Sequence, residues 1–166
     1  MRAVLALTLV AGLASTASAG EDEGSRADKG TLGIGLILGE PTGISAKLYL
    51  KDDQAIQAAA GFAFYGGGLH LHADYVFHPY ILQSKESFVL PFYIGPGVRV
   101  FDFRNGNNDS KYVALGLRAV AGLLFDFKNV PLDAFVEVAG VFEYGFGAGD
   151  GAAIKLNVAA GARYYF

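Results

Sequence analysis

From Thr31 to Phe166 the chain alternates, residue by residue, between apolar side chains and a mixture of everything else. A two-residue period is the signature of a strand with two unlike faces. One stretch sets Val113, Leu115, Leu117, Ala119, Ala121, Leu123, Phe125 and Phe127 against Gly116, Arg118, Gly122 and Asp126. Another sets Val136, Val138, Phe142, Tyr144 and Phe146 against Asp133, Glu137 and Glu143. The final stretch sets Leu156, Val158, Tyr164 and Phe166 against Lys155, Asn157 and Arg163. Earlier stretches repeat the pattern: Leu32, Ile34, Leu36, Leu38 against Gly33, Gly35, Gly39; Ile44, Ala46, Leu48, Leu50 against Ser45, Lys47, Tyr49, Lys51; and Leu69, Leu71, Ala73, Tyr75, Phe77 against His70, His72, Asp74, His78. No charge interrupts the apolar parity in any of these.

Turn-forming clusters divide the region. They are Glu40 to Gly43, Asp52-Asp53, Gly66 to Gly68, Gln83 to Glu86, Arg104 to Lys111, Asn129 to Pro131 and Gly147 to Gly151. Seven breaks predict eight strands, at 31–39, 43–51, 54–65, 69–78, 87–103, 112–128, 133–146 and 152–166. The spacing leaves room for the roughly 9–11 residues that a tilted strand needs to cross a bilayer.

The two faces say which side meets which solvent. The mixed face is too rich in Gly and Ala for an ordinary solvated surface. Small residues with a few charges suit the crowded interior of a narrow barrel. The unbroken apolar face then suits lipid, and closure of the sheet leaves no unpaired edge there. The expected fold is all-β, an eight-stranded antiparallel up-and-down transmembrane barrel. A soluble periplasmic ligand-binding barrel, with the apolar face inside, is the competing arrangement. With the N-terminus on the periplasmic side, Tyr75, Phe77, Phe88, Phe92, Phe125, Phe127, Tyr164 and Phe166 form one aromatic girdle. Phe62, Phe64, Phe142, Tyr144 and Phe146 form the other. Gly95-Pro96-Gly97 predicts a bulge or bend, because proline removes a ladder hydrogen bond. The faces on which Arg99 and Asp102 lie stay open on this evidence.

The N-terminus reads differently. Met1-Arg2, an apolar run over Ala3 to Ala14, and Ala17-Ser18-Ala19 make a secretory signal peptide at 1–19. Residues 20–30 read as a flexible polar tail, and 31–166 as the barrel. The chain has no Cys, which excludes a disulfide scaffold, thiolate metal sites and thiol catalysis. Its formal charge of −3 argues against nucleic acid as a partner.

The whole of 31–166 resembles the small eight-stranded outer-membrane barrels of Gram-negative bacteria, and in architecture the membrane domain of outer membrane protein A. Leu32 to Leu50, Leu69 to His78 and Gly116 to Gly140 carry the likeness to one group of these proteins. The ending Ala162-Arg163-Tyr164-Tyr165-Phe166 resembles the terminal signal read by the barrel-assembly machinery, with Tyr164 and Phe166 as its aromatic positions. The resemblance implies fold, outer-membrane location and a lipid environment. It transfers no activity.

Candidate chemistry lies on the mixed face. Lys47, Asp74, Arg99, Arg118, Glu137, Glu143, Lys155 and Arg163 are expected to line the lumen as a paired network. Glu137 or Glu143 is within reach of Lys155 or Arg163, and Arg118 of Glu137. The formal sum of this set, five cations against three anions, is +2. It makes a narrow, weakly anion-preferring pore the alternative to a structural or envelope-interaction role. His70, His72 and Asp74 share one face of a strand and are weak metal candidates without a third defined ligand. Ser45 is the one mid-strand serine on that face of its strand and has no specified histidine partner, so no catalytic residue and no cofactor is assigned. A monomer is expected.

Overall fold

The computed structural model describes residues 30–63, 68–104, 111–147 and 151–166. The signal peptide, residues 20–29 of the tail, Phe64 and most of three of the four upper connections lie outside the described residues. Eight antiparallel strands form one closed ring: β1 (Leu32–Gly39), β2 (Thr42–Lys51), β3 (Gln54–Phe62), β4 (Leu69–Ser84), β5 (Phe88–Arg104), β6 (Lys111–Phe127), β7 (Leu132–Gly147) and β8 (Gly151–Tyr165). Each pairs with its sequence neighbours, and β8 closes on β1. Phe166 N donates to Leu32 O at 3.0 Å beside that seam.

The stagger of the ring follows from its register. Gly35 pairs with Ser45, Ser45 with Ala59, Ala59 with His72, His72 with Arg99, Arg99 with Gly116, Gly116 with Glu143 and Glu143 with Ala153. Gly35 itself pairs with Arg163 across the seam. The path returns to β8 displaced by 163 − 153 = 10 residues. With eight strands and ordinary strand spacings, that stagger requires a tilt of about 40° and a backbone radius of roughly 8 Å. A tube this narrow is filled along most of its length by its own side chains.

Size therefore decides which residues point inward. Inward aromatic rings lie over inward glycines of the adjacent strand: Tyr165 over Gly33, Tyr93 over Gly122 and Phe135 over Gly161. A Cβ at any of these glycines would meet the ring. The outward parity carries large apolar side chains that stay exposed, including Leu36, Leu117, Ile154 and Leu156 at 67%, 68%, 83% and 71%. Outward aromatics two residues apart stack edge-on at 5.0–5.1 Å between centroids: Tyr144–Phe146 and Tyr164–Phe166 at strand ends, and Tyr75–Phe77 in the middle of the lengthened β4.

Two expectations change. β4 runs to Ser84 rather than stopping at 78, because register shifts between Phe77 and Tyr80 and between Ile81 and Gln83 carry it past Pro79. Pro96 makes no bulge. Pairing with β4 runs through Asp74↔Gly97 and resumes at Phe77↔Ile94 in the same register. Pro96 points outward, so parity survives and Arg99 faces the lumen. The third strand is described over Gln54–Phe62, and residues 64 and 65 of its expected span lie outside the described residues.

Candidate functional site: the charged lumen

The buried polar residues fill the tube in three tiers. The middle tier is built on Arg118 of β6, which is 3% exposed. Its Nε lies 3.0 and 3.2 Å from the two carboxylate oxygens of Asp74 on β4. Its Nη2 donates to Glu137 Oε1 on β7 at 2.6 Å, and its Nη1 to Asn157 Oδ1 on β8 at 3.2 Å. Gln57 on β3 donates to Asp74 Oδ2 at 3.1 Å and to Glu137 Oε2 at 3.0 Å. Tyr93 on β5 donates its hydroxyl to Glu137 Oε2 at 2.8 Å. Six of the eight strands meet in this knot. Unpaired, each of these charges would be costly to bury; bridged by one guanidinium fork, they compensate one another.

The lower tier holds Lys47 of β2. Its ammonium donates to His78 Nε2 at 2.9 Å and sits 4.9 Å from the ring centres of both Tyr49 and Tyr93. Arg163 stacks on Phe135 at 3.9 Å. Tyr165 donates to Asp133 Oδ2 at 2.5 Å. The cations here are held partly by aromatic faces, which can attract charge without adding an acid.

The upper tier surrounds an open cavity of about 580 Å³. Arg99 and Glu143 form an ion pair across its wall, Nη1 to Oε2, at 3.1 Å. The Arg99 guanidinium lies 5.1 Å from the Phe101 ring, which meets Tyr112 edge-on at 6.4 Å. Asn157 and Lys155 also line the cavity, and Lys155 is exposed.

All eight residues expected in the lumen lie on its inward parity. Seven are buried, and Lys155 stands at the open mouth. Arg118 reaches Glu137. Glu143 takes Arg99 across β6 rather than a cation of β8. Two acids were not counted among the eight. Asp133 is 1% exposed within the lumen, and Glu40 lines the upper cavity with Oε2 3.7 Å from His70 Nδ1. With these two and Asp126, half-buried opposite Asp133 on the inward parity of β6, the five cations no longer outnumber the acids, and the expected +2 disappears. The parity of Asp133 was visible in the sequence; its position at a strand start disguised its burial.

The metal candidates also regroup. His72 Nδ1 and His70 Nε2 are 3.4 Å apart, and His72 Nε2 is 3.8 Å from Asp74 Oδ2. Among the described residues the set whose ligand atoms fall within 4.8 Å of one another is His72, Asp74 and Glu137, without His70. Arg118 already bonds both carboxylates of that set and supplies the positive charge a metal would bring. Ser45 is buried on the inward face. Tyr164 is outward and exposed on β8, and Phe166, just beyond it, is exposed too. No family model, curated protein or solved structure matches the chain.

Proposed function

We propose that this barrel is embedded in a bilayer, the outer membrane of a Gram-negative envelope, and serves there as a closed structural or interaction element. One observation carries the reading: the polarity of the fold is inverted. Lys47, Arg118 and Arg163 are at most 3% exposed, while rows of Leu, Ile, Val and Phe cover the outside. Soluble monomers rarely expose apolar patches beyond a few hundred Å². In lipid the same wall is the favourable one, and a closed ring leaves no strand edge unpaired. The N-terminal 19 residues supply the export signal, and Tyr164 and Phe166 supply the contact for the barrel-assembly machinery. Outer-membrane lipid is the main partner of the finished protein.

The Arg118 knot supports a lumen that does not conduct, and the additional acids remove the basis for an anion preference. Two measurements test the proposal. The folded chain in detergent micelles is run cold on an SDS gel with and without boiling, and a heat-dependent mobility shift is expected. Full solubility in plain buffer without detergent would overturn the membrane reading. In planar bilayers no reproducible current steps are expected; regular steps would turn the reading into the narrow pore.

A further inference from the structure

We infer that the upper cavity opens sideways through the barrel wall beside β8, and that a single-chain amphiphile with an anionic head, of the fatty-acid type, enters and binds there from the lipid. The inference rests on the membrane setting proposed above. β8 and β1 are unequal in height. Their pairing stops at Gly39↔Ala159, and Glu40 N donates to Val158 O at 3.1 Å as the last link. Above that seam, Gly151 to Asn157 keep β7 on one side and, among the described residues, have no strand on the other. At ordinary strand rise and the tilt of the ring, the top of β8 stands about 20 Å above the end of β1. The β1–β2 turn is therefore the low sill of a gap in the rim.

The apolar wall continues past that sill. Ile154, Leu156 and Val158 keep the outward parity of β8 beside the gap and are exposed, as is Phe142 on β7 opposite Ile154. From Tyr164 up to Ile154 β8 climbs about 25 Å, the height of the apolar band of a membrane barrel. A bilayer that covers this band reaches above the sill and meets the gap. The cavity records the same opening. Strand parity puts Lys155 and Asn157 on the lumen side of β8, and Leu156 and Val158 on the outer side. All four line the one cavity, with Glu40 of the sill. A cavity enclosed by the wall touches one parity; one that passes round the free side of β8 touches both.

The chemistry along this path selects the occupant. On the lipid side, Leu156 and Val158 lead down to Leu38 and Leu36 of β1, both exposed, and together they make a track for an acyl chain. At the mouth, Lys155 is the exposed cation of the lining. Deeper in, the charges face one another: Arg99 meets Glu143 at 3.1 Å, and Glu40 Oε2 lies 3.7 Å from His70 Nδ1. The Glu40 carboxylate repels an anion that moves inward over the sill. A negative head therefore stays at Lys155 while its chain remains outside, and a positive head meets Lys155 first and is turned away.

The chain has no Trp, so single tryptophans report on chosen points of the wall by fluorescence. Leu156→Trp stands at the gap and Leu117→Trp on the closed wall. The heat-dependent gel shift is the folding control, and Ile154→Trp replaces the first variant should it fail to fold. In vesicles of brominated phosphatidylcholine, quenching of both tryptophans is expected. No quenching of Leu117→Trp would overturn the membrane setting, and the lipid-side entry with it. Quenching of Leu117→Trp alone would put the gap above the lipid and overturn only the entry. In unbrominated vesicles, at a pH that keeps the carboxylate ionised, ω-bromododecanoate is then titrated. Saturable quenching is expected at Leu156→Trp, against the linear quenching of simple partitioning at Leu117→Trp. Half-saturation should rise about tenfold for ω-bromododecanol and for the matching trimethylammonium salt, and as much for ω-bromododecanoate once Lys155→Ala is added. Parallel, non-saturating quenching at the two positions, equal response to the three heads, or indifference to the loss of Lys155 would overturn the site while leaving the membrane setting intact.

Discussion

The outer wall and the lumen are built from the same eight strands, and they obey opposite rules. On the outer wall, neighbours are interchangeable apolar groups: Val98, Leu117, Phe142 and Ile154 stand side by side with nothing polar to satisfy. In the lumen, neighbours are specific. Arg118 needs Asp74, Glu137 and Asn157, and each comes from a different strand. If the proposed lipid setting holds, the wall tolerates exchange within a chemical class and rejects charge. The lumen tolerates charge and rejects the loss of any one partner. A substitution one residue along the chain moves from one regime to the other.

Leu117 and Arg118 make that contrast testable, and the largest effect belongs to the lumen. Arg118→Ala strands two buried carboxylates and should cost about 3–5 kcal/mol. Urea unfolding of the micelle-folded protein reads it as a lower midpoint. Adding Asp74→Asn and Glu137→Gln to the same variant should recover part of the loss, since the stranded charges are then gone. No recovery would mean that Arg118 acts by filling space rather than by pairing.

Next in size is the wall. Leu117→Arg should cost roughly 2–4 kcal/mol in a bilayer, where an outward charge meets hydrocarbon. The same change would fall within about 0.5 kcal/mol if the wall met water. Refolding into lipid vesicles, followed on the cold gel, separates the two. A smaller effect is expected from Tyr165→Phe, which deletes the hydroxyl that donates to Asp133 and should cost about 1.5–3 kcal/mol by the same urea midpoint. The smallest belongs to Lys155→Ala at the open mouth, expected within about 0.5 kcal/mol. A large loss there would move Lys155 into the paired network.

The two regimes were unequally legible in the sequence. Strand number and order follow from the turn clusters, and the inward direction of Lys47, Asp74, Arg118, Glu137, Glu143 and Arg163 from parity, because side-chain direction in a strand has a strict period of two; the direction of Arg99 needs the register across Pro96. Where parity breaks, reading fails. His78-Pro79 looked like the end of β4, but two register shifts absorb the proline and extend the strand to Ser84. Pro96 looked like a break and is not one, since its ring points outward and register is equal on both sides. Partner choice was less legible than direction. Glu143 pairs with Arg99, two strands away, because both lie opposite Gly116 of β6, which puts no side chain between them. That row is set by the registers of two successive hairpins and is not written in any one strand. Asp133 was passed over for a similar reason: only the neighbouring strand shows that Tyr165 covers it.

The central claim is that the outer wall faces lipid, and the absence of cysteine makes its most direct test simple. A single cysteine placed at Leu117 and carrying a nitroxide label is measured in lipid vesicles with two relaxing agents, oxygen and a water-soluble nickel complex. A lipid-facing wall predicts strong relaxation by oxygen and little by nickel. Strong relaxation by nickel would contradict it and put the apolar wall in water.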